Sequence, residues 1–274
     1  MIFEFRIGGT QINILQAIFL GIVQGLTEFL PISSSGHLVF FQSLFGLEEP
    51  QLLFNVTLHL GTLLAVVIFF RTDIKKILQG ITVVLKRKKE SKQGARLFLW
   101  IVIATIPTGL MGVIFHDWFK SLFSKPKIVG VMLLITGLAL FLTRWVKREA
   151  RNMEKMGWMD SILIGVAQGV AIIPGISRAG ATISTGLFCG LDRELSGKFS
   201  FLLSIPAIFG ATLLEVKKMD MGQNLWASVI GSIVAFGVGI FSLTVLMKII
   251  KMGKISNFSY YCWGMGLIMI LLTI

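Results

Sequence analysis

The sequence predicts an all-α integral membrane protein built as an inverted-topology repeat, each half a re-entrant helical hairpin plus three transmembrane helices. Three observations carry that expectation. Of 274 residues, 54% are hydrophobic and only 15% charged, against about 25% charged in ordinary soluble domains, and mean hydropathy is +0.81. Several apolar runs reach the ~20 residues that carry a helix across ~30 Å of hydrocarbon. Finally, two polar windows, GIVQGLTEFLPISSSGH at 21–37 and GVAQGVAIIPGISRAGAT at 165–182, share one register. Gly21, Gln24, Gly25, Ile32, Ser33 and Gly36 recur 144 positions later as Gly165, Gln168, Gly169, Ile176, Ser177 and Gly180.

The first window opens repeat one, about 11–144 of a single 1–274 membrane domain. Residues 13–30 are long enough to span alone, but Pro31 and then Ser33-Ser34-Ser35-Gly36 interrupt the run, and the limb Leu38–Gly46 is too short to cross. Proline removes a backbone donor and glycine weakens a helix. Broken backbone at membrane depth is tolerated only where it is buried in protein or lines a watery cavity, so a re-entrant hairpin is expected. Full spans follow near 52–70, 97–116 and 127–143. Repeat two, about 159–274, restates the plan: Pro174-Gly175 breaks the second window, a short run ends near Gly190, and spans follow near 199–216, 225–247 and 258–274. Thr62-Leu63-Leu64 recurs as Thr212-Leu213-Leu214, a weaker echo of the same duplication.

The net charge of +12 is an orientation signal. Nineteen Lys and Arg fall in 71–96, 144–158, 192–198 and 248–257, including the run Lys86-Arg87-Lys88-Lys89, and six fall on the opposite side. The positive-inside rule places the rich side in the cytoplasm, with anionic lipid headgroups as its ordinary partners. No aromatic-basic interleaving or recognisable module points to nucleic acid. An odd number of crossings per half turns the second copy upside down, so the hairpin tips meet near the midplane and both termini lie outside. The start, MIFEFRIGGTQ, lacks a basic n-region with a small-residue cleavage site, so no cleavage is expected. Cys189 and Cys262 show neither metal spacing nor a disulfide framework.

The remaining basic residue, Arg178, and the acid Glu28 are the two clear charges at membrane depth. Such groups are costly unless they face protein, water or a partner. One reading is a structural ion pair. The other is a site, because hydroxyls, an amide and an imidazole share the windows: Gln24, Ser33, Ser34, Ser35 and His37 in the first, Ser177 and Thr182 in the second. A guanidinium matches two phosphate oxygens with a planar fork, and broken helices present N-termini that attract anions. A carboxylate beside a phosphate site holds a divalent cation or acts as a base, with Ser34 or His37 as nucleophile. Plainer roles stand beside these: Ser33 and Ser35 as helix caps, His37 bonded to backbone, Gln24 and Gln168 as an amide bridge between hairpins. His59 reads as a core histidine and His116 as an interfacial one. Taken alone, the set specifies an anionic, phosphorylated ligand inside a membrane.

Gln24-x-x-x-Glu28, Pro31-x-Ser33-Ser34-Ser35-Gly36-His37 and Pro174-Gly175-x-Ser177-Arg178-x-Gly180 together resemble the bacterial undecaprenyl-pyrophosphate phosphatase family, known for bacitracin resistance. The likeness runs over nearly the whole chain. It implies hydrolysis of undecaprenyl pyrophosphate to undecaprenyl phosphate and inorganic phosphate, recycling the lipid carrier for cell-wall synthesis, with a divalent cation such as Mg2+ or Ca2+. Carried over by position, Glu28, Ser34, His37 and Arg178 are the catalytic candidates, with Glu28 as metal ligand. Gln24, Ser33, Ser35, Ser177 and Thr182 are the substrate-binding candidates. Gln24 stands at the motif's leading acid-or-amide position, where it offers oxygen without charge. The implied location is the bacterial plasma membrane, and the bias of nineteen Lys and Arg against six turns the site's opening to the outer face. The implied partners are the polyprenyl diphosphate and the bilayer, with room for a homodimer. The alternative is a transporter or flippase of polyprenyl phosphate or another anion, since an inverted repeat is itself a transport architecture.

Overall fold

Apart from one isolated bridge between Arg151 and Leu191, the regular structure among the described residues is helical. The computed structural model describes residues 12–47, 51–85, 93–123, 125–146, 151–216 and 224–272. The first window forms α1 (Ile14–Thr27) and α2 (Ser34–Leu44). Asn13 starts α1 with a reciprocal capping box: its side chain accepts from Gln16 N, and the Gln16 side chain accepts from Asn13 N, satisfying two donors that a helix start leaves open. The chain then runs through α3 (Leu52–Phe69), α4 (Arg71–Leu85), α5 (Gln93–Ile114), the short α6 (His116–Phe123) and α7 (Pro126–Leu142). The second window forms α8 (Trp158–Val170) and α9 (Arg178–Phe188), followed by α10 (Arg193–Val216), α11 (Leu225–Lys251) and α12 (Phe258–Leu272).

Five stretches are long and apolar enough to cross a membrane: Gln93–Ile114, Pro126–Trp145, Arg193–Glu215, Leu225–Lys251 and Ile255–Leu272. A sixth arises if α3 and α4, bent by 73° at their junction, count as one. The chain is a multi-pass, all-α membrane protein.

The region expected as loop 71–96 differs. It is helical through Leu85 and again from Gln93, because Ile74, Ile77 and Ile81 recur at helical spacing and pack into the main core while Lys75 and Lys76 stay exposed. Charge density masked an amphipathic helix. Likewise α10 begins at Arg193 and α11 ends at Lys251, trimming the expected loops 192–198 and 248–257. Residues 1–11 and the run Lys86–Lys89 lie outside the described residues.

Packing relies on small residues. Lipid tails are as apolar as leucine, so helices associate by close backbone approach rather than by hydrophobic exclusion. α1 lies along α11 and α8 along α5, so the helix leading into each broken window packs on a span from the other half of the chain. At these crossings a Cβ on Gly21 would strike the Gly231 carbonyl, and one on Gly165 the Ala104 carbonyl. Where α7 crosses α12, a Cβ on either Gly130 or Gly266 would sit 2.8 Å from the other's carbonyl oxygen. Phe29 of the first window joins an aromatic core in which Phe201 meets it at 5.8 Å and Phe70 at 6.1 Å between ring centroids.

Candidate active site

Each broken window ends in a capped helix start. Ser33 Oγ accepts from Gly36 N at 3.4 Å to begin α2, and Ser177 Oγ accepts from Gly180 N at 3.0 Å to begin α9. The same repeat position performs the same task twice. The turns before the caps differ. Ser177 has ordinary extended backbone, φ −74° and ψ 120°, and the positive φ of its turn falls on Gly175 at 96°. Ser33 itself sits at φ 67° and ψ 95°, and is the only non-glycine with positive φ among the described residues. The two tips touch: a Cβ on Gly36 would lie 3.6 Å from Gly175 Cα.

This contact joins residues 150 positions apart. Arg178, the first residue of α9, donates from Nη2 to Glu28 Oε1 at 2.5 Å. The other carboxylate oxygen, Oε2, accepts from Ser34 Oγ at 2.7 Å and from Gln24 Nε2 at 3.1 Å. Gln24 and Glu28, four residues apart on consecutive turns, face one way. The Arg178 guanidinium carbon lies 5.9 Å from the Phe201 ring centroid, within cation–π reach. Two polar atoms here are buried without a hydrogen-bond partner among the described residues, Arg178 Nη1 and Gln24 Oε1. Buried polar groups are ordinarily satisfied. One half of the guanidinium fork and one amide oxygen therefore stand ready for a ligand.

The other expected residues sit around this cluster rather than in it. Ser35 Oγ lies 3.3 Å from Ser33 Oγ. Thr182 Oγ1 donates to Arg178 O at 2.7 Å and meets Ser200 Oγ at 2.6 Å, supporting α9 from behind. Gln24 and Gln168 do not bridge the hairpins: Gln24 donates to Glu28, whereas Gln168 Nε2 reaches Thr108 of α5 at 3.4 Å. His37 turns away from Glu28. Its Nδ1 donates to Ser33 O at 2.8 Å, which leaves Nε2 to accept the Tyr261 hydroxyl proton at 2.7 Å. Both ring nitrogens are thereby occupied. His116 pairs with Asp117 at 3.0 Å and with Glu215 at 3.3 Å.

The reading of His59 needs correction. Its Nδ1 donates to Asn55 O at 2.7 Å, as a core histidine's would, but its Nε2 points at Glu28 Oε2 from 3.7 Å and its side chain is 31% exposed. It borders the site. Asn55, His59 and Thr62 form a polar stripe on a span whose other polar side chain is Thr57, which was the available signal. Tyr261 carried none.

No group of three His, Cys, Asp or Glu able to hold a metal occurs among the described residues. Hard cations take oxygen ligands, however, and Mg2+ is commonly held by one or two carboxylates plus substrate phosphates. Glu28 Oε2, the unpartnered Gln24 Oε1 and Ser34 Oγ are oxygens of that kind, so the donor set fits such an ion.

A family model described as Bacitracin resistance protein BacA matches residues 17–268, which takes in both windows and nearly all the spans. The chain belongs to this family. Among its relatives, the undecaprenyl-diphosphatase of Halothermothrix orenii is 44% identical over 265 residues, covering 95% of this chain and 98% of that protein. The undecaprenyl-diphosphatase of Carboxydothermus hydrogenoformans is 44% identical over 266 residues, covering 95% and 97%. That of Desulfosudis oleivorans is 45% identical over 264 residues, covering 92% and 96%. The likeness is therefore end to end, and the matched stretch contains both windows that build the Glu28–Arg178 cluster.

Proposed function

We propose that this protein hydrolyses undecaprenyl diphosphate to undecaprenyl phosphate and inorganic phosphate, recycling the lipid carrier used in cell-wall synthesis. The observation that carries the reading is one carboxylate, Glu28, holding a serine hydroxyl on one oxygen and a guanidinium on the other. Arg178 binds the terminal phosphate through the unused half of its fork, aided by the starts of α2 and α9, whose dipoles favour an anion. Ser34 Oγ attacks phosphorus and passes its proton to Glu28 Oε2. The bond from phosphorus to the bridging oxygen breaks, and undecaprenyl phosphate departs. Water then adds to the phosphoserine, the Oγ–P bond breaks, and Glu28 returns its proton to Ser34. One proton of the water stays on inorganic phosphate and the other leaves to solvent. His37, with both nitrogens engaged, positions the turn instead of attacking. Gln24 Oε1 and Ser34 Oγ, beside Glu28, would hold Mg2+ or Ca2+, which when bound neutralises charge on the transferring phosphoryl group while Glu28 Oε2 is left to take the serine proton.

The arrangement of the membrane parts belongs to the same reading. Repeat one near 11–144 and repeat two near 159–274 form an inverted pair, supported by the reciprocal packing of α1 on α11 and α8 on α5. The bias of Lys and Arg supports an opening on the outer face with both termini outside. Release of inorganic phosphate by purified protein in detergent, with and without chelator, tests the activity. Wild type should release phosphate and form a trappable phosphoserine, and Ser34→Ala should do neither. Lipid translocation in proteoliposomes without any phosphate release would replace this reading with a flippase.

A further inference from the structure

The turn that presents Ser34 is held in an unfavourable conformation by a helix from the far end of the chain. Ser33 at φ 67° occupies a region that costs a non-glycine residue on the order of 1–3 kcal/mol and persists only where surrounding contacts over-determine it. Those contacts are present. The Ser33 carbonyl accepts from His37 Nδ1 at 2.8 Å, and the His37 ring is fixed by the Tyr261 hydroxyl at 2.7 Å. The two rings also stack, with centroids 5.7 Å apart and planes 13° from parallel. The next residue of α12, Cys262, directs its thiol to Pro31 O at 3.5 Å, two residues before the strained position. His37 is 2% exposed, so its Nε2 depends on the tyrosine hydroxyl as its partner within the protein.

The second tip offers a comparison within the same molecule. There the positive φ is assigned to Gly175, which adopts it at little cost. A single side chain from α7 suffices to fix that turn: Thr136 Oγ1 donates to Gly175 O at 3.1 Å and accepts from Ser177 N at 3.1 Å. Each tip is thus fastened by a span outside its own hairpin, α7 for the second and α12 for the first. Only the first has strain to hold.

We propose that Tyr261 is a positioning residue for the reaction: acting through His37, it holds the strained Ser33 turn and thereby keeps Ser34 in hydrogen-bond reach of Glu28. The proposal rests on the reading of Ser34 as nucleophile. Without the tyrosine hydroxyl, His37 Nε2 is buried and unpaired, the ring is free to turn, and the Ser33 turn relaxes toward ordinary backbone. Ser34 then leaves the 2.7 Å contact that activates it. Arg178 and Gln24 are untouched, so substrate binding survives.

The test is a double-mutant cycle on the full chain in detergent, reading phosphate release from a polyprenyl diphosphate. Tyr261→Phe should lower kcat about tenfold with KM within twofold and melting temperature within a few degrees of wild type. Ser33→Gly accepts positive φ without strain and keeps a serviceable helix start. In that background Tyr261→Phe should therefore cost less than threefold, the non-additivity expected of coupled residues. Full kcat in Tyr261→Phe, a loss confined to KM, or an undiminished tenfold loss in the Ser33→Gly background overturns the proposal. Should Ser33→Gly itself fail to fold, nitrogen-15 spectra of His37 decide. In wild type the ring should show one fixed tautomer with Nδ1 protonated, and in Tyr261→Phe a mixture; identical spectra refute the coupling. Turnover surviving in Ser34→Ala would remove the nucleophile assignment instead. Tyr261→Phe at full kcat beside an inactive Ser34→Ala would remove the tyrosine's role alone.

Discussion

Replacing Arg178 by lysine isolates geometry from charge at the centre of the site. The guanidinium donates from Nη2 to Glu28 Oε1 at 2.5 Å while Nη1 stays buried without a partner. Arginine can therefore hold the carboxylate and a phosphate oxygen together, in one plane. A lysine ammonium is a point charge without a fork. If it stays with Glu28 it relinquishes the phosphate, and if it swings to the phosphate it leaves a carboxylate whose side chain is only 6% exposed. Either choice forfeits one charge-assisted hydrogen bond of roughly 1.5–3 kcal/mol. At about 1.4 kcal/mol per decade, kcat/KM should fall by roughly 10–100-fold, and inhibition by inorganic phosphate should weaken in parallel. Arg178→Ala should be worse, because it also strands Glu28 without its counter-charge. The assay is phosphate release from the lipid diphosphate in detergent, alongside a melting curve for each variant. Full turnover in Arg178→Lys would refute the two-handed role. Recovery of both stability and turnover in Glu28→Gln/Arg178→Gln would show that the pair only ties two helices together.

Three further outcomes follow from the fold. Gly165→Ala drives a methyl group into the Ala104 carbonyl of α5 and should lower melting temperature by several degrees, from about 1–3 kcal/mol of overpacking, whereas Gly109→Ala, with open space around it, should not. Arg151 holds Asp160 through two hydrogen bonds at 3.0 and 2.8 Å and caps the Cys189 carbonyl at 2.7 Å; Arg151→Ala should leave KM unchanged while lowering the melting temperature, and unchanged melting would show the clamp to be idle. Cysteines introduced at Ser43 and Lys155, read against the parent protein, should react with an impermeant thiol reagent in intact cells at Ser43 only; the opposite pattern reverses the assigned orientation.

Much of this molecule was legible in local pattern. The hydrocarbon slab demands runs of ~20 apolar residues and internal satisfaction of every backbone group, so composition alone specified a polytopic helical protein. The 144-residue register marked both windows, and proline, serine and glycine within them marked where helices stop and restart. Glu28 and Arg178 stood out because charge at depth is costly. Where the reading failed, the cause was a competing local signal. The charges of 71–85 hid the Ile74, Ile77 and Ile81 stripe, and the apolar neighbours of His59 made it read as core.

Some features lie beyond any pattern along the chain. Which histidine faces Glu28 depends on how α2 and α3 are set around the carboxylate, and the structure gives that place to His59 while turning His37 toward α12. The positive φ of Ser33 and the hydroxyl of Tyr261 that restrains it are 228 positions apart, brought together only when α12 packs beside the first tip. Periodicity and residue chemistry repeat locally, so sequence could determine the membrane class, the windows and the charged pair. Hydrogen-bond partners are fixed by ångström distances between helices, and those exist only once the helices have packed.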